Sequence, residues 1–406
     1  MAKTRLLVPI IVNLGLVFAA AAQELKPQIG EPMPPFRNAA ASTEAFSSIV
    51  GGTVTKDFPG VGALVQIGPT NQVVNACTGT LVGCRWFLTA GHCVAQQNAE
   101  TFKIFFHSAG FFDVKNPPLL APEYKPCAND EVTACPRADV ALLELVHPIV
   151  GIKPLPITRN NPVPPGDTGT IVGFGTTSSS RADFGIKRRG AVTAGTCKGS
   201  VVGADDQGWL CWKFLSGKNA TNCSADSGGP YVASNGAAAG VTSGDLSKVA
   251  CTSGALVFDT RLTNHSSWFN KTASDIKSAA CGEGPQAGEP SAPSTQLVID
   301  NYKPDGAPYS HTFTVDEGVS SLNVSAAGTG AHFYNVHMSL SLGSPTKQDQ
   351  PDQRCKPDIV GNLAYCAVES PEPGQWQIVV SFNTSDPSAE MPFIYQIVAS
   401  EYFARK

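Results

Sequence analysis

Between residue 49 and about residue 281 the chain alternates short apolar runs with turn residues. The runs are Gly62–Ile67, Thr80–Leu88, Lys103–Phe106, Val140–Val146, Gly169–Gly173, Gly229–Val232 and Ala238–Thr242. They are short and rich in Val, Ile, Leu and Phe, which predicts an all-β barrel or sandwich. A helical pattern is expected only over Ser266–Ala280, where Trp268, Phe269, Ala273 and Ile276 share one face. Residues 282–295 hold no large apolar side chain and have the composition of a linker. Strand signals then resume at Leu297–Ile299, Thr312–Val315, Ser321–Val324, Phe333–Leu340, Trp376–Phe382 and Phe393–Val398. Their near-twofold period predicts a second, smaller β-sandwich over 296–406.

Length agrees with more than one domain, since 406 residues exceed one average domain. The 39 glycines and 31 prolines suit many strands joined by turns. A net charge of −4 gives no reason to expect a nucleic-acid or anionic-membrane partner. At the N-terminus, Lys3 and Arg5 precede an apolar run from Leu6 that ends in Ala20-Ala21-Ala22. This is the pattern of a signal peptide over residues 1–22, and Pro9, Asn13 and the alanine tail make the run a poor membrane span. The protein is therefore expected to be exported, extracellular or periplasmic, with no membrane partner in the mature form. Residues 23–48, rich in Pro, Ala and Ser, read as a pro-segment. In an exported chain the 12 cysteines are expected to form disulfides, although spacing alone does not fix their connectivity. No Cys-x-x-Cys or clustered His/Cys pattern supports a metal site.

Three segments carry chemistry. The apolar stretch Cys77-Thr-Gly-Thr-Leu-Val-Gly-Cys-Arg-Trp-Phe-Leu-Thr-Ala-Gly ends in His92-Cys93. Asp139-Val-Ala-Leu-Leu begins a strand, and Cys223-Ser-Ala-Asp-Ser227-Gly-Gly-Pro is a tight turn. A base, an orienting carboxylate and a hydroxyl nucleophile are what serine-dependent hydrolysis needs. Singly each motif is an ordinary turn or strand end. His107, His147, His265, His311, His332 and His337 are read as surface or structural residues, and Gly173-Phe-Gly175 as a structural turn without a phosphate-binding role.

Taken together in this order, the three motifs resemble the trypsin/chymotrypsin-like serine proteases, over Ile49 to roughly residue 276. The resemblance implies a protease domain over 49–281 built as a double antiparallel β-barrel, with a C-terminal helix. It implies His92 as general base, Asp139 as its orienting acid and Ser227 as nucleophile. The N–H groups of Ala225 and Ser227 would form the oxyanion hole. Protein or peptide substrates are implied, with no cofactor. Ile49-Val-Gly-Gly resembles the N-terminus freed by activation cleavage, whose ammonium would pair with Asp226. Ser48 precedes it, so self-cleavage or an activating protease that accepts small residues is expected rather than a trypsin-like activator. The pocket would have Thr221 at its base and Asn222, Thr242, Ser243, Gly244 and Leu256 in its walls. A base without an acid disfavours Arg or Lys at P1, the substrate residue before the cut bond, and Leu256 favours small or medium neutral ones.

Two further features come from resemblance. Ala225 stands where the family has glycine, and its methyl group restricts the backbone there. The family's bridges imply Cys77–Cys93, Cys197–Cys211 and Cys223–Cys251, with Cys127–Cys135 and Cys84–Cys281 completing the domain. The tail resembles the bacterial pre-peptidase C-terminal domain through Thr312-Phe-Thr-Val-Asp-Glu-Gly, Gly361-Asn-Leu-Ala-Tyr-Cys366 and Pro373-Gly-Gln-Trp376, with Cys355–Cys366 as its implied bridge. Such domains serve as secretion-associated or substrate-binding appendages, often removed on maturation. Two other readings compete with this one: a silent protease homologue that binds a partner, and a carbohydrate- or surface-binding protein using Tyr334, Trp376 and Tyr395.

Overall fold

The structure is a computed structural model. It describes residues 49–69, 73–95, 101–126, 138–149, 152–178, 184–197, 206–245, 251–277, 291–302, 309–328, 336–343, 363–384 and 393–403. The proposed signal peptide and pro-segment lie outside these residues.

Strand β1 (Thr53–Val54) is followed by β2 (Val61–Ile67), β3 (Val73–Gly83), β4 (Trp86–Thr89), the single turn α1 (Gly91–Val94), β5 (Phe102–Phe106), β6 (Gly110–Asp113), β7 (Leu119–Leu120) and β8 (Ala141–Glu144). Strands β2 to β8 form one antiparallel sheet in the order β6-β5-β2-β3-β4-β8-β7. A bridge between Val114, just past β6, and Leu145, just past β8, brings the β6 edge back against β8 and closes the sheet into a barrel. Leu81, Phe87, Ile104, Phe106, Leu142 and Leu143, all buried, belong to the hydrophobic core built on it.

The second barrel repeats this plan. Its strands are β9 (Thr168–Gly173), β10 (Arg188–Thr193), β11 (Trp209–Lys213), β12 (Pro230–Val232), β13 (Ala238–Asp245) and β14 (Leu256–Arg261). The order is β1-β10-β9-β12-β13-β14-β11, and a Gly195–Cys211 bridge closes β10 against β11. Ile171, Val192, Leu210, Trp212, Tyr231 and Val257 fill its core.

Where local sequence misleads, a contact or a turn is the cause. The run Thr80–Leu88 is not one strand, because the chain reverses at Cys84-Arg85 and β3 pairs with β4 as a hairpin. The helix expected over Ser266–Ala280 is shorter: α2 (Ser266–Thr272) ends at Ala273, whose extended backbone breaks the helix before a 3-10 turn at Ser274–Lys277. The apolar face is still used, since Phe269, Ala273 and Ile276 pack into the first barrel's core.

In the C-terminal part the first described strand starts at Ser291, within the 282–295 stretch read as linker. The strands of this part are β15 (Ser291–Tyr302), β16 (Tyr309–Val315), β17 (Val319–Gly328), β18 (Val336–Gly343), β19 (Leu363–Glu369), β20 (Gly374–Thr384) and β21 (Phe393–Phe403). They form two antiparallel sheets, β15-β21-β17-β19 and β16-β20-β18. Between them Leu322, Val324, Ala326, Val368, Ile378, Val380 and Ile397 make a separate core. Trp376 belongs to that core and its indole N–H donates to the Glu372 carbonyl (2.7 Å), so it is not an exposed binding aromatic. The side chains of Tyr334 and Tyr395 lie outside the described residues. Among the described residues no helix is long and apolar enough to cross a membrane.

Candidate active site

Strand pairing brings the first two motif residues together. Thr89, at the end of β4, lies opposite Ala141, at the start of β8. His92 follows the first and Asp139 precedes the second, so both emerge at one end of the barrel. The backbone N–H of His92 donates to Asp139 Oδ1 (2.7 Å), and His92 Nδ1 donates to Oδ2 (2.6 Å). Asp139 is fully buried, and a buried carboxylate needs such donors. A third comes from Ser243, whose hydroxyl donates to Oδ2 (2.6 Å). Ser243, expected as a pocket wall, is thus also a support for the acid.

With Nδ1 committed to Asp139, the proton assignment that satisfies the network leaves the His92 Nε2 lone pair available as a base. The ring keeps 35% of its surface exposed. Burial is the largest single influence on its pKa and lowers it. The hydrogen bond and charge of Asp139 together outweigh burial and hold the pKa above the ordinary histidine value.

The serine comes from the second barrel. The turn Cys223–Gly229 is closed by Asp226 N–H to Cys223 O (3.0 Å) and Gly229 N–H to Asp226 O (2.9 Å). Thr78 of the first barrel pins it from outside, with its N–H on Ser227 O (2.8 Å) and its hydroxyl on Ala225 O (2.9 Å). The sulfur of Cys93 lies 3.7 Å from Ser227 O and 3.8 Å from His92 Nε2, which brings serine and histidine to opposite sides of one disulfide. No hydrogen bond joins the Ser227 hydroxyl to His92 Nε2 in this state. Such contacts commonly tighten only when substrate is bound.

Ala225 has φ +69°, the left-handed region that glycine prefers. Holding alanine there costs about 1 kcal/mol. Among the described residues, no backbone carbonyl takes the N–H of Ala225 or Ser227. Asp226, buried beside them, accepts from Gly175 N–H at Oδ1 (2.8 Å) and Cys223 N–H at Oδ2 (2.9 Å). Gly173 and Gly175 make room for it, since a β-carbon at either would lie 2.0 or 2.4 Å from the carboxylate. The Gly-Phe-Gly turn is therefore a cradle for Asp226. Ile49 is also fully buried, and Val50 O accepts from Thr221 N–H (3.0 Å).

Thr221 is buried, and Asn222 Nδ2 donates to Thr242 Oγ1 (2.9 Å). Leu256 packs beside Phe258 and the Cys197–Cys211 bridge, and the Phe258 ring faces Gly244, where a β-carbon would meet it at 3.1 Å. Phe258 was missed in the sequence, although the twofold period of β14 sets it on the same face as Leu256. Asp259 was missed as well. It is fully buried across from Thr242, and burial drives its carboxyl pKa well upward, partly offset by the Thr242 hydroxyl.

The bridges Cys77–Cys93, Cys197–Cys211 and Cys223–Cys251 are present. Cys84 and Cys366 are also disulfide-bonded, while Cys127, Cys135, Cys281 and Cys355 lie outside the described residues. Cys77, His92 and Cys93 cluster within 4.8 Å, but both sulfurs are oxidised and offer no thiolate to a metal. His107 and His265, read as surface or structural, are buried.

Comparison with known proteins places this geometry in a family. The family model described as Trypsin matches residues 49–269, more than half of the chain. Human Kallikrein-8 is 32% identical over 175 residues, covering 41% of this chain and 65% of that protein, just under two thirds of its length. Mouse Kallikrein-8 is 28% identical over 204 residues, 48% of this chain and 76% of the relative. The cercarial protease of Schistosoma mansoni is 30% identical over 178 residues, 39% and 66% respectively. Among solved structures, neuropsin, a serine protease expressed in the limbic system of mouse brain, aligns at 24% identity with TM-score 0.45, covering 55% of this chain and 99% of its own. On the match over residues 49–269, the chain belongs to the trypsin family.

Proposed function

We propose that the protein is an exported serine endopeptidase in which His92, Asp139 and Ser227 carry out peptide-bond hydrolysis. The observation that carries this reading is the buried Asp139, holding His92 Nδ1 at 2.6 Å while the Ser227 turn is tied to the same rim by Thr78. His92 Nε2 takes the Ser227 hydroxyl proton as Oγ attacks the substrate carbonyl. Asp139 stabilises the resulting imidazolium. The N–H groups of Ala225 and Ser227 receive the oxyanion. His92 then returns the proton to the leaving amine, and water hydrolyses the ester by the same sequence in reverse. No cofactor enters these steps.

Specificity for small or medium neutral P1 residues is supported by Thr221 at the base and by Leu256 and Phe258 beside it. Asp259 does not alter this, because burial favours its neutral form. The zymogen reading is supported by Ile49, buried in the second barrel's core, and by the buried carboxylate of Asp226. Export is supported by disulfides such as Cys77–Cys93, Cys197–Cys211 and Cys223–Cys251, which persist in an oxidising compartment. Likeness of the tail to the pre-peptidase C-terminal domain remains a reading of its motifs.

Intact-mass analysis of the secreted protein with a fluorophosphonate probe tests the proposal. One adduct on a chain starting at Ile49, absent in Ser227→Ala, is the expected result. No adduct on such a chain would favour a silent homologue.

A further inference from the structure

An antiparallel sheet of a two-layer sandwich ordinarily buries one face and wets the other. The sheet β15-β21-β17-β19 does not. Along β17, Leu322, Val324 and Ala326 point into the sandwich core, yet the alternate residues Asn323, Ser325 and Ala327 are also fully buried. On β19 the same holds for Leu363, and on β21 for Gln396. What covers this second face is the protease.

The seam is specific. Ser325 Oγ pairs with His107 Nδ1 (3.0 Å), and Asn323 Nδ2 donates to Ser108 O (3.3 Å). Gln396 spans two protease segments, its Nε2 donating to Thr55 O (2.9 Å) and its Oε1 accepting from Lys187 N–H (2.9 Å). Tyr365 covers Gly110, where a β-carbon would lie 2.6 Å from its ring. Ala327 and Leu363 join an apolar cluster with Phe105, Phe174, Phe184 and Ile186, and Ala225 packs against the same cluster.

Phe174 links the seam to the site. Its ring stacks on His107, with centroids 5.4 Å apart and planes 21° from parallel. From its backbone onward, two residues bond the serine turn directly and Phe174 itself reaches it through Thr78, whose hydroxyl donates to Ala225 O. Phe174 N–H donates to Thr78 Oγ1 (3.1 Å), Gly175 N–H to Asp226 Oδ1 (2.8 Å) and Thr176 N–H to Ser224 O (2.8 Å).

We propose that the C-terminal sandwich is a built-in brace of the catalytic unit, and that Phe174, His107 and Gln396 are positioning residues acting through Asp226 and Ala225 on the oxyanion turn. The sandwich is thus retained in the working enzyme rather than discarded. The inference rests on the proteolytic reading above.

The test uses full-length chains carrying Ala327→Arg or Leu363→Arg, which drive a charge into the seam, with Gln396→Ala as a milder variant. Hydrogen exchange at 105–111 and 323–327 reports opening of the seam. Exchange at 174–176 and 223–228 reports the turn, with 141–144 in the first barrel as reference. Opened variants should exchange at least tenfold faster at the turn but not at the reference. Their kcat per titrated active site should fall about tenfold or more with KM nearly unchanged, because oxyanion donors serve the transition state. An opened seam with wild-type kcat and wild-type exchange at the turn would overturn the brace.

Should the arginine variants fail to fold, a protease site placed within residues 284–289 of the otherwise native chain, cut after folding, gives the second test. The nicked halves should co-elute with full activity; separation with kcat retained would overturn the proposal. If wild-type protein neither hydrolyses peptides nor labels, the proteolytic reading fails, while the exchange measurements still decide whether the seam orders the turn.

Discussion

The two halves of the site are built on different principles. The His92–Asp139 half is made by adjacent strands of one closed barrel, and its carboxylate is sealed in the core with three donors. The Ser227 half is a turn whose shape is imposed from outside. Ala225 is held in a backbone region alanine dislikes, Thr78 grips it from the other barrel, and Asp226 depends on residues 173–175. The first half needs its own barrel and, from the second, only the Ser243 hydroxyl of β13. The second is conditional, so the proposed control by cleavage or docking would act there.

Substitutions can break that contrast. Asp139→Asn should lower kcat by about 10⁴-fold with little change in KM, as the general template for this triad prescribes, because His92 would lose the tautomer that accepts the Ser227 proton. Circular dichroism should remain that of the parent. Asp226→Asn should cost about 10²-fold in kcat, the scale of losing an aligned oxyanion donor. Its fluorophosphonate labelling should slow in parallel, while the His92–Asp139 half stays intact by NMR of the imidazole protons. Equal losses of order in both halves would erase the distinction.

The pH profile isolates the first half. Because Asp139 holds the His92 pKa above its ordinary value, kcat/KM should fall tenfold per unit of acidification below that raised pKa. Ser243→Ala leaves one donor fewer on Asp139 and should reduce kcat by about tenfold, consistent with a lost hydrogen bond to a charged group of about 1.5–3 kcal/mol that is partly recovered by relaxation. Ala225→Gly should have the smallest effect and the opposite sign. Relief of the left-handed strain should raise the melting temperature by a few degrees, for about 1 kcal/mol, and leave kcat equal or slightly higher.

The sequence disclosed the conditional half and the fixed half unequally. The motifs around His92, Asp139 and Ser227, the proposed catalytic groups, were readable because each is made of sequence neighbours. The short apolar runs were readable as strands for the same reason. What escaped was set by contacts between distant segments. Ser243 reaches Asp139 from 104 positions away, and Gln396 reaches Thr55 from 341. The Gly173-Phe-Gly175 turn looked merely structural until Asp226 was seen between its glycines. The hairpin hidden in Thr80–Leu88 escaped because Gly83-Cys84-Arg85 lacks the usual turn residues beyond one glycine. The buried outer face of β17 was illegible in principle, since alternation of Asn323 and Ser325 with apolar neighbours describes a wet face as well as a docked one.

The position of Gln396 in the final described strand has a consequence for biosynthesis. A chain that emerges from the export machinery N-terminus first presents both barrels, with His92, Asp139 and Ser227 in place, long before the residues that close the seam. A partly translocated protease would meet the export apparatus with its serine turn still slack. If the protein is an exported protease braced as proposed, the order of residues along the chain would delay its competence until the strands that close the seam have emerged.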